Sequence, residues 1–410
     1  MLWLKRGLRL ETKKFSANEP INSISIPDEL IIPLKQHIGK EAKAVVKKGE
    51  YVKKNQLIGI ADSEFSANIH ASSSGKVTAI ETRQVIGGES TCIIIKTDKK
   101  DATKKFKVKE KLSETIKDAG IVGLGGACFP THIKLNPPSK CDVYILNGCE
   151  CEPYLTSDFR IMLEYPDDVI NGFYMLMKNA GINKGIVGVE SKEVYEKLLQ
   201  ASKKYKNIEI KLLKAKYPQG AEKMLIYSLT GRKVPTEKIP ADIGVIVNNV
   251  STAWAVSHAK KGIPLTQRIV TVSGEINNPK NFMLRIGTKI SEVIKGDYKK
   301  IIAGGPMMGI GVFSKDVPIT KGTGGLTIIP QLERDYENCI RCSSCIDACP
   351  MNLMPTKFAA YSATGNYERA KEHHLYNCFE CGCCSYVCPC HIPIVQLIKA
   401  AKEELKNANK

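Results

Sequence analysis

The feature that most constrains this 410-residue chain is a cysteine run that occurs twice near its end. Each run has the spacing C-x2-C-x2-C-x3-C-P. Three thiolates separated by two residues on a tight loop can bind three corners of a 4Fe–4S cubane, whereas the fourth lies on a departing helix and points elsewhere. The two runs therefore predict two 4Fe–4S clusters and a chain that transfers single electrons.

In two-cluster ferredoxins the fourth cysteine of each run binds the other cluster. This crossed pattern predicts a first cluster bound by Cys339, Cys342, Cys345 and Cys388. It predicts a second cluster bound by Cys378, Cys381, Cys384 and Cys349. A pair of zinc sites is the alternative, but such sites usually divide their ligands between two separate cysteine pairs. The flanking Cys383 and Cys390 are not expected to be ligands.

The charge and the hydropathy pattern narrow the choice of partners. The net charge is +18, from 60 Lys and Arg against 42 Asp and Glu, which could attract nucleic acid, an anionic membrane surface or an acidic redox partner. No nucleic-acid reader motif or aromatic stacking pattern accompanies the charge, so we expect no nucleic-acid partner. No apolar run reaches the length of a membrane span, so any membrane association is expected through a partner. The cysteine usage and the lack of a secretory signal pattern predict a cytoplasmic protein.

The sequence changes character along the chain and predicts a multidomain α/β architecture. Residues 1–30 are expected to form an arm. Residues 31–98 combine short β-branched runs with glycine turns, which is typical of an all-β unit and looks like a barrel-sandwich hybrid. Carrier domains of that fold have a lysine at the hairpin tip, but the corresponding segment Ser63–Ser66 has none. We therefore expect a docking or scaffold module.

Three further regions follow a lysine-rich linker. Residues 112–260 alternate predicted strands and helices, which indicates a doubly wound α/β domain. Residues 261–330 suit a small β-grasp domain. Residues 331–410 contain the cysteine runs, and the helical spacing between the runs predicts an α-helical ferredoxin domain.

Candidate ligand-binding residues cluster in the predicted α/β domain. A glycine-rich loop can bring backbone N–H groups close to a phosphate or a ring, and Lys134 follows it with a positive charge. Glu150 and Glu152 come directly after one buried strand, and Asn248 and Asn249 end another. Open α/β sheets bind ligands at the carboxyl ends of their strands, so we expect these groups at one site.

Four motifs in this order, ahead of the twin cysteine runs, resemble the RnfC family: GLGGACFPTHIKL, NGCECEPYLTSDFR, YPQGAEKMLIYSLTGRKVP and VNNVSTA. RnfC proteins are the peripheral NADH-oxidising subunits of the Rnf electron-transport complex, and the flavin-binding subunit of respiratory complex I is more distantly similar. The resemblance implies that residues 261–330 are a soluble ligand-binding β-grasp domain. It implies FMN contacts from Gly123, Gly125, Gly126, Lys134, Asn147, Asn248, Asn249 and Thr252. It places Glu150, Glu152 and Glu222 on the NADH side.

The resemblance implies an electron-transfer iron–sulfur flavoprotein. A nicotinamide gives up two electrons as a hydride, a 4Fe–4S cluster accepts one, and a flavin can convert between the two. We therefore expect hydride transfer from NADH to FMN, followed by single-electron transfer through the two clusters to a partner. The expected partners are the other subunits of the complex, which would hold the chain peripherally on the cytoplasmic face of the membrane.

Two alternative functions remain at this point. Cys128 and Cys149 stand where relatives usually carry smaller residues, which also suggests the soluble PrdC-type carrier that takes electrons from NADH to proline reductase. A thiol beside the flavin loop could be a low-pKa nucleophile, a redox relay or a small apolar filler, and the role of Cys151 is equally open. The second alternative, a flavin-free iron–sulfur electron-transfer module, is disfavoured by the glycine-rich loop.

Overall fold

The computed structural model describes residues 6–298, 300–330 and 335–408. After a short strand β1 (Ile21–Ser23), the chain forms an all-β unit of two antiparallel sheets, ordered β2-β8-β7-β4 and β3-β5-β6. Inward side chains alternate along the strands, as at Leu30 and Ile32, and together they form a separate apolar core. The strands are β2 (Glu29–Pro33), β3 (Lys43–Ala44), β4 (Tyr51–Val52), β5 (Leu57–Ile60), β6 (Ile69–His70), β7 (Gly75–Val85) and β8 (Gly88–Thr97).

The central domain is built on a four-stranded parallel sheet of order β11-β10-β9-β12. Helices cover both faces, and the strands are accordingly apolar along most of their length, as in Val143–Gly148. The elements are α1 (Leu112–Asp118), α2 (Thr131–Lys134), β9 (Val143–Gly148), α3 (Ser157–Glu164), α4 (Pro166–Asn179), β10 (Gly185–Val189), α5 (Lys192–Ser202), β11 (Ile208–Leu212), α6 (Glu222–Thr230), β12 (Val245–Asn249) and α7 (Val250–Lys260).

The register of this sheet brings the predicted site residues to one edge. Strands β9 and β12 are parallel neighbours, and Asn147 lies opposite Asn249 at their carboxyl ends. The segments that follow these strands therefore start side by side, as the strand-end rule predicted.

The third domain contains a mixed six-stranded sheet of order β1-β14-β13-β17-β15-β16. Its own strands are β13 (Gln267–Gly274), β14 (Lys280–Arg285), β15 (Ile301–Ala303), β16 (Ile310–Val312) and β17 (Gly325–Ile328). Strand β1 comes from the N-terminal arm and pairs in parallel with β14, with Ile21 opposite Asn281. Sequence patterns do not indicate this pairing, because a three-residue strand is too short to show a period of two.

All regular secondary structure in the described residues 335–408 of the cysteine-rich domain is helical, as predicted. Its helices are α8 (Ser344–Asp347), α9 (Pro355–Ala363), α10 (Tyr367–Glu372), α11 (Cys383–Tyr386) and α12 (Ile394–Ala408). Helix α12 buries Ile394, Ile398, Ala401 and Leu405, one apolar stripe at helical spacing, against Phe358 of α9. In the described part of the chain, no helix is both long and apolar enough to cross a membrane.

Substitution of Gly172 by alanine should test the close packing of α4 against α7. A Cβ at Gly172 would lie 1.8 Å from the carbonyl oxygen of Ala253, so the two helices must separate. Overpacking of this kind costs about 1–3 kcal/mol or more, which exceeds the gain of about 1 kcal/mol in helix propensity. We expect Gly172→Ala to lower the melting temperature measured by circular dichroism. Gly311→Ala, where a Cβ meets no atom within 4 Å, is the control and should melt like the wild type.

Candidate functional site

The glycine-rich loop between α1 and α2 folds back on itself. The Gly123 N–H donates to the Phe129 carbonyl at 2.8 Å, and the Gly123 carbonyl accepts from the Cys128 N–H at 3.1 Å. The turn closed by these bonds leaves Gly125 and Gly126 exposed. Gly126 has a φ of +115°, a backbone conformation that favours glycine. The loop therefore presents main chain with no side chain in the way.

This loop lies on the N-terminus of α7. Thr252 Oγ1 accepts a 2.9 Å hydrogen bond from the Leu124 N–H, and a Cβ on Gly125 would lie 3.2 Å from Asn249 Cβ. Asn249 caps the helix by accepting from the Ser251 N–H at 2.8 Å. Exposed loop amides beside a helix N-terminus form a place that favours an anion such as a phosphate.

Lys134 and Glu222 meet at the same edge of the sheet. Lys134 Nζ donates to the Val247 carbonyl at 3.0 Å and lies 3.5 Å from a Glu222 carboxylate oxygen. Glu222 opens α6, and its side chain is 41% exposed. This acid therefore remains accessible to a ligand in solution.

The two asparagines Asn147 and Asn248 are engaged within the protein. Asn147 Nδ2 donates to the Gly220 carbonyl at 2.8 Å, and its Oδ1 accepts from the Cys149 N–H. Asn248 is buried, and its Oδ1 accepts from the Tyr144 hydroxyl at 3.0 Å. Both side chains hold the ends of their strands in place.

Glu150 and Glu152 point to different neighbours. The Glu150 carboxylate accepts from the N–H groups of Asp158 and Phe159, which caps the start of α3, and burial raises the pKa of its carboxyl. Glu152 accepts from the N–H groups of Met307 and Met308 at 3.2 and 2.9 Å. Burial raises the pKa of the Glu152 carboxyl to about 7. Glu150 and Glu152 thus have different hydrogen-bond partners from the Lys134–Glu222 pair.

The N-terminal arm also contributes to this region. Lys14 Nζ donates to the carbonyls of Glu150, Glu152 and Leu155 at 2.5–2.8 Å and so fixes the loop after β9. Beneath the arm lies a cavity of about 190 Å³, whose lining includes Lys14, Glu150 and Glu190. Burial raises the pKa of the Glu190 carboxyl to about 7. Sequence reasoning missed Glu190, although it follows β10 directly and the strand-end rule could have found it.

Three cysteines of the second run line a small cavity together with Cys383 and one cysteine of the first run. This cavity is lined by Cys349, Cys378, Cys381, Cys383 and Cys384. Among the described residues, no three His, Cys, Asp or Glu side chains converge as they would on a single metal ion. The donor set around the cavity is rich in thiols, which suits an iron–sulfur cluster.

The remaining cysteines of the first run lie nearer the surface. Cys339 and Cys342 are exposed, whereas Cys345 is buried. Burial raises the pKa of the Cys345 thiol, and the neighbouring Cys388 and Cys339 raise it further. Cys388 of the second run packs against the apolar cluster that contains Cys345 and Cys349.

The second cysteine run packs against both the α/β domain and the β-grasp domain. The Tyr217 hydroxyl donates to the Cys381 carbonyl at 2.6 Å, and both residues belong to one buried apolar cluster that Met307 borders. Gly382 has a φ of +81°, and a Cβ there would lie 2.8 Å from the Met307 carbonyl. The segment around Met307 forms a turn between β15 and β16. It lies between Glu152 and the second run.

The surroundings of Cys128, Cys149 and Cys151 do not favour their thiolate forms. Burial raises the pKa of Cys128, and it does the same for Cys149 and Cys151. A raised thiol pKa leaves less thiolate at neutral pH, which favours the role of small apolar filler over that of a low-pKa nucleophile.

Four domain families match the chain. Residues 3–100 match the RnfC barrel sandwich hybrid domain and residues 116–258 the Nuo51 FMN-binding domain. Residues 269–311 match the SLBB domain and residues 331–389 a 4Fe-4S dicluster domain. These matches confirm the predicted fold class, and with it an FMN-binding domain and a domain for two 4Fe–4S clusters.

Curated relatives match over almost the whole chain. The C subunit of a proton-translocating ferredoxin:NAD+ oxidoreductase complex from Clostridium ljungdahlii is 46% identical over 97% of this chain and 93% of that protein. The C subunit of a Na+-translocating ferredoxin:NAD+ oxidoreductase complex from Acetobacterium woodii is 38% identical, over 96% and 94%. The C subunit of an ion-translocating oxidoreductase complex from Rhodobacter capsulatus is 37% identical, over 98% and 83%.

Among solved structures, an NAD+-reducing nickel–iron hydrogenase in its H2-reduced state shares the fold. Its TM-score is 0.52 at 19% identity, over 72% of this chain and 62% of that one. The near-complete matches to the three curated relatives confirm the resemblance found in the sequence: the chain belongs to the RnfC family of oxidoreductase subunits.

Proposed function

We propose that this chain is the NADH-linked electron-transfer subunit of an ion-translocating ferredoxin:NAD+ oxidoreductase complex. FMN, when bound, supplies the exchange between the two-electron hydride of NADH and the one-electron chemistry of the clusters. The observation that carries the proposal is the seating of the second cysteine run on the FMN-binding domain, through the 2.6 Å hydrogen bond from Tyr217 to Cys381. This contact supports a direct path from a flavin to a cluster.

For the flavin we keep the predicted set of residues. The exposed amides of Gly125 and Gly126, beside the N-terminus of α7, suit the phosphate of FMN. Gly123 shapes the loop through its two backbone hydrogen bonds, and Thr252 holds the loop to the helix. Lys134 supplies a positive charge at the same edge. Asn147, Asn248 and Asn249 fix the strand ends and the helix start on which the flavin would rest.

The acidic residues take separate roles on the NADH side. Glu222 is accessible and paired with Lys134, so it suits hydrogen bonds to the nicotinamide or its ribose. Glu150 holds the start of α3, and Glu152 holds the turn around Met307 next to the second cysteine run. None of the three is proposed as a proton-transfer catalyst.

We propose the crossed ligation for the clusters, with Cys339, Cys342, Cys345 and Cys388 around the first cluster and Cys378, Cys381, Cys384 and Cys349 around the second. The cavity that Cys349 shares with the second run supports this assignment, as does the closeness of Cys388 to Cys345. The second cluster then lies beside the FMN-binding domain. The first lies near the surface, where Ile340 is 65% exposed. Electrons would therefore pass from the flavin to the second cluster, then to the first.

The surface position of the first cluster suits delivery to another protein. We propose that the acceptor is another subunit of the complex and that the chain is peripheral on the cytoplasmic face of the membrane. The alternative, a soluble carrier to a reductase, predicts a different fractionation. A member of the complex should co-purify with membranes, whereas a soluble carrier should stay in the supernatant with its reductase.

The flavin path can be tested with NADH and one lysine variant. NADH added anaerobically to the purified protein should bleach its visible spectrum, and denaturation should release FMN, seen by its fluorescence. Lys134→Ala should lower the FMN content several-fold, because it removes a charged hydrogen-bond donor at the flavin edge, and should leave iron near the wild-type level.

The matched control is Lys192→Ala, which removes an exposed lysine of α5 in the same domain and should change neither quantity. A protein that stays oxidised with NADH, or that releases no FMN, would contradict the proposed function. An equal loss of FMN and iron in Lys134→Ala would contradict separate sites.

A further prediction concerns the crossed ligation. Cys388→Ala should lose the cluster bound mainly by the first run, and Cys349→Ala the cluster bound mainly by the second. Each variant should retain roughly half of the iron, with a different one of two EPR signals missing. Cys390→Ala, which removes a buried cysteine outside both runs, should retain both signals. The opposite assignment of the signals, or zinc in place of iron, would show the ligand sets to be wrong.

Stability should depend on pH through Glu152. The Glu152 carboxyl has a folded-state pKa of about 7, above its unfolded value, so the folded protein binds its proton more tightly and loses stability as the pH rises from about 5 to 7. Glu152→Gln should remove the Glu152 contribution to this dependence, while that of Glu190 remains, and should gain up to about 2 kcal/mol relative to the wild type at pH 8. Urea unfolding at several pH values from 5 to 8 measures the free energy of unfolding. The Glu209→Gln variant, at an exposed position, is the control. Parallel curves for wild type and Glu152→Gln would contradict the burial argument.

A further inference from the structure

A buried arginine of the β-grasp domain reaches the glycine-rich loop of the neighbouring domain. Arg268 lies on β13 and is 2% exposed. Its Nη2 donates to the Leu124 carbonyl at 2.6 Å. Sequence reasoning gave this residue no role, because the contact joins two domains that are predicted separately.

The hydrogen bonds of Leu124 fix the orientation of the next peptide group. Its N–H is held by Thr252 Oγ1 at 2.9 Å, and its carbonyl is held by Arg268. The peptide between Leu124 and Gly125 is trans, so its carbonyl and the Gly125 N–H point in opposite directions. The Gly125 N–H therefore points away from Arg268. Gly125 itself is exposed, on the face of the loop where a ligand can approach.

The guanidinium brings a positive charge that its surroundings do not fully compensate. Arg268 Nε and Nη1 are buried and have no hydrogen-bond acceptor among the residues that the structure describes. The carboxylates of Asp158 and Glu150 lie near the guanidinium, but both already accept hydrogen bonds from other groups. A buried cation with unused donors is costly unless a negative charge lies nearby. A cation on a carbonyl also polarises the peptide and makes its N–H a stronger donor.

We propose that Arg268 is a positioning residue for the phosphate of FMN: it holds the Leu124–Gly125 peptide so that the Gly125 N–H faces the phosphate, and its charge strengthens that donor. Arg268 does not touch the ligand, since the peptide group lies between them. The inference rests on the proposed FMN site and adds a determinant from a different domain.

Comparison of two flavins tests this role. Riboflavin lacks the phosphate of FMN, so the ratio of the riboflavin Kd to the FMN Kd isolates the phosphate contribution. We would titrate each flavin into the flavin-depleted, full-length protein with its clusters intact, and follow the quenching of flavin fluorescence. Arg268→Met should reduce this ratio about tenfold by weakening FMN alone, because a hydrogen bond to a charged group is lost from the supporting network.

Arg285→Met is the matched control. Arg285 lies on the neighbouring strand β14, and its guanidinium bonds Asp101 and the Ser72 carbonyl instead of the glycine-rich loop, so the ratio should match that of the wild type. If a low iron content or a lowered melting temperature shows that Arg268→Met does not fold, the ratio of the two Kd values is measured for Arg268→Gln instead. Gln keeps a donor without the charge, and we expect a reduction of at least about threefold.

Three outcomes overturn the inference. An unchanged ratio in the folded variant shows that Arg268 does not act through the phosphate, while FMN binding by the wild type would still support the proposed function. Equal weakening of both flavins shows a general structural role. A wild-type protein that binds neither flavin removes the proposed FMN site itself, and the inference falls with it.

Discussion

The contact on which the rest of the arrangement depends is the hydrogen bond from the Tyr217 hydroxyl to the Cys381 carbonyl. It joins the segment after β11 of the α/β domain to the loop of the second cysteine run, inside an apolar cluster that excludes water. A hydrogen bond in such a low-dielectric setting is stronger than one in water. Glu152 supports the same junction through the turn around Met307. These contacts fix the position of the cysteine-rich domain relative to the FMN-binding domain.

Sequence reasoning worked well where the chemistry is local. The cysteine spacing predicted two ligand sets, and Cys349 lines one cavity with Cys378, Cys381 and Cys384, which is compatible with the second set. The strand-end rule predicted that the segments after β9 and β12 start at one edge of the sheet, and the parallel register does place the ends of these two strands side by side. The glycine loop was recognisable because only glycine suits the backbone of Gly126. The cofactor-contact and ligand residues themselves remain predictions.

Sequence reasoning was weaker where a residue acts across domains. Glu150 and Glu152 sit two residues apart and were assigned one role, yet one caps a helix and the other binds a turn of the β-grasp domain. Lys14 lies in an arm with no periodic pattern but binds three carbonyls of the loop after β9. Arg268 contacts the glycine-rich loop of another domain, whereas the sequence around it predicts only a β-strand. Such contacts depend on how domains pack, which local patterns do not encode.

The parallel pairing of β1 with β14 has a consequence for how the chain acquires its fold. The edge strand is made first during synthesis, whereas its partner emerges only after the barrel unit and the whole α/β domain. Bringing together two strands so far apart in the sequence has an entropic cost of loop closure, and the pairing must overcome this cost before it stabilises the fold. Contacts of such long range also slow folding. We therefore expect β1 to pair with β14 late in folding, after the two domains that lie between these strands in the sequence have formed.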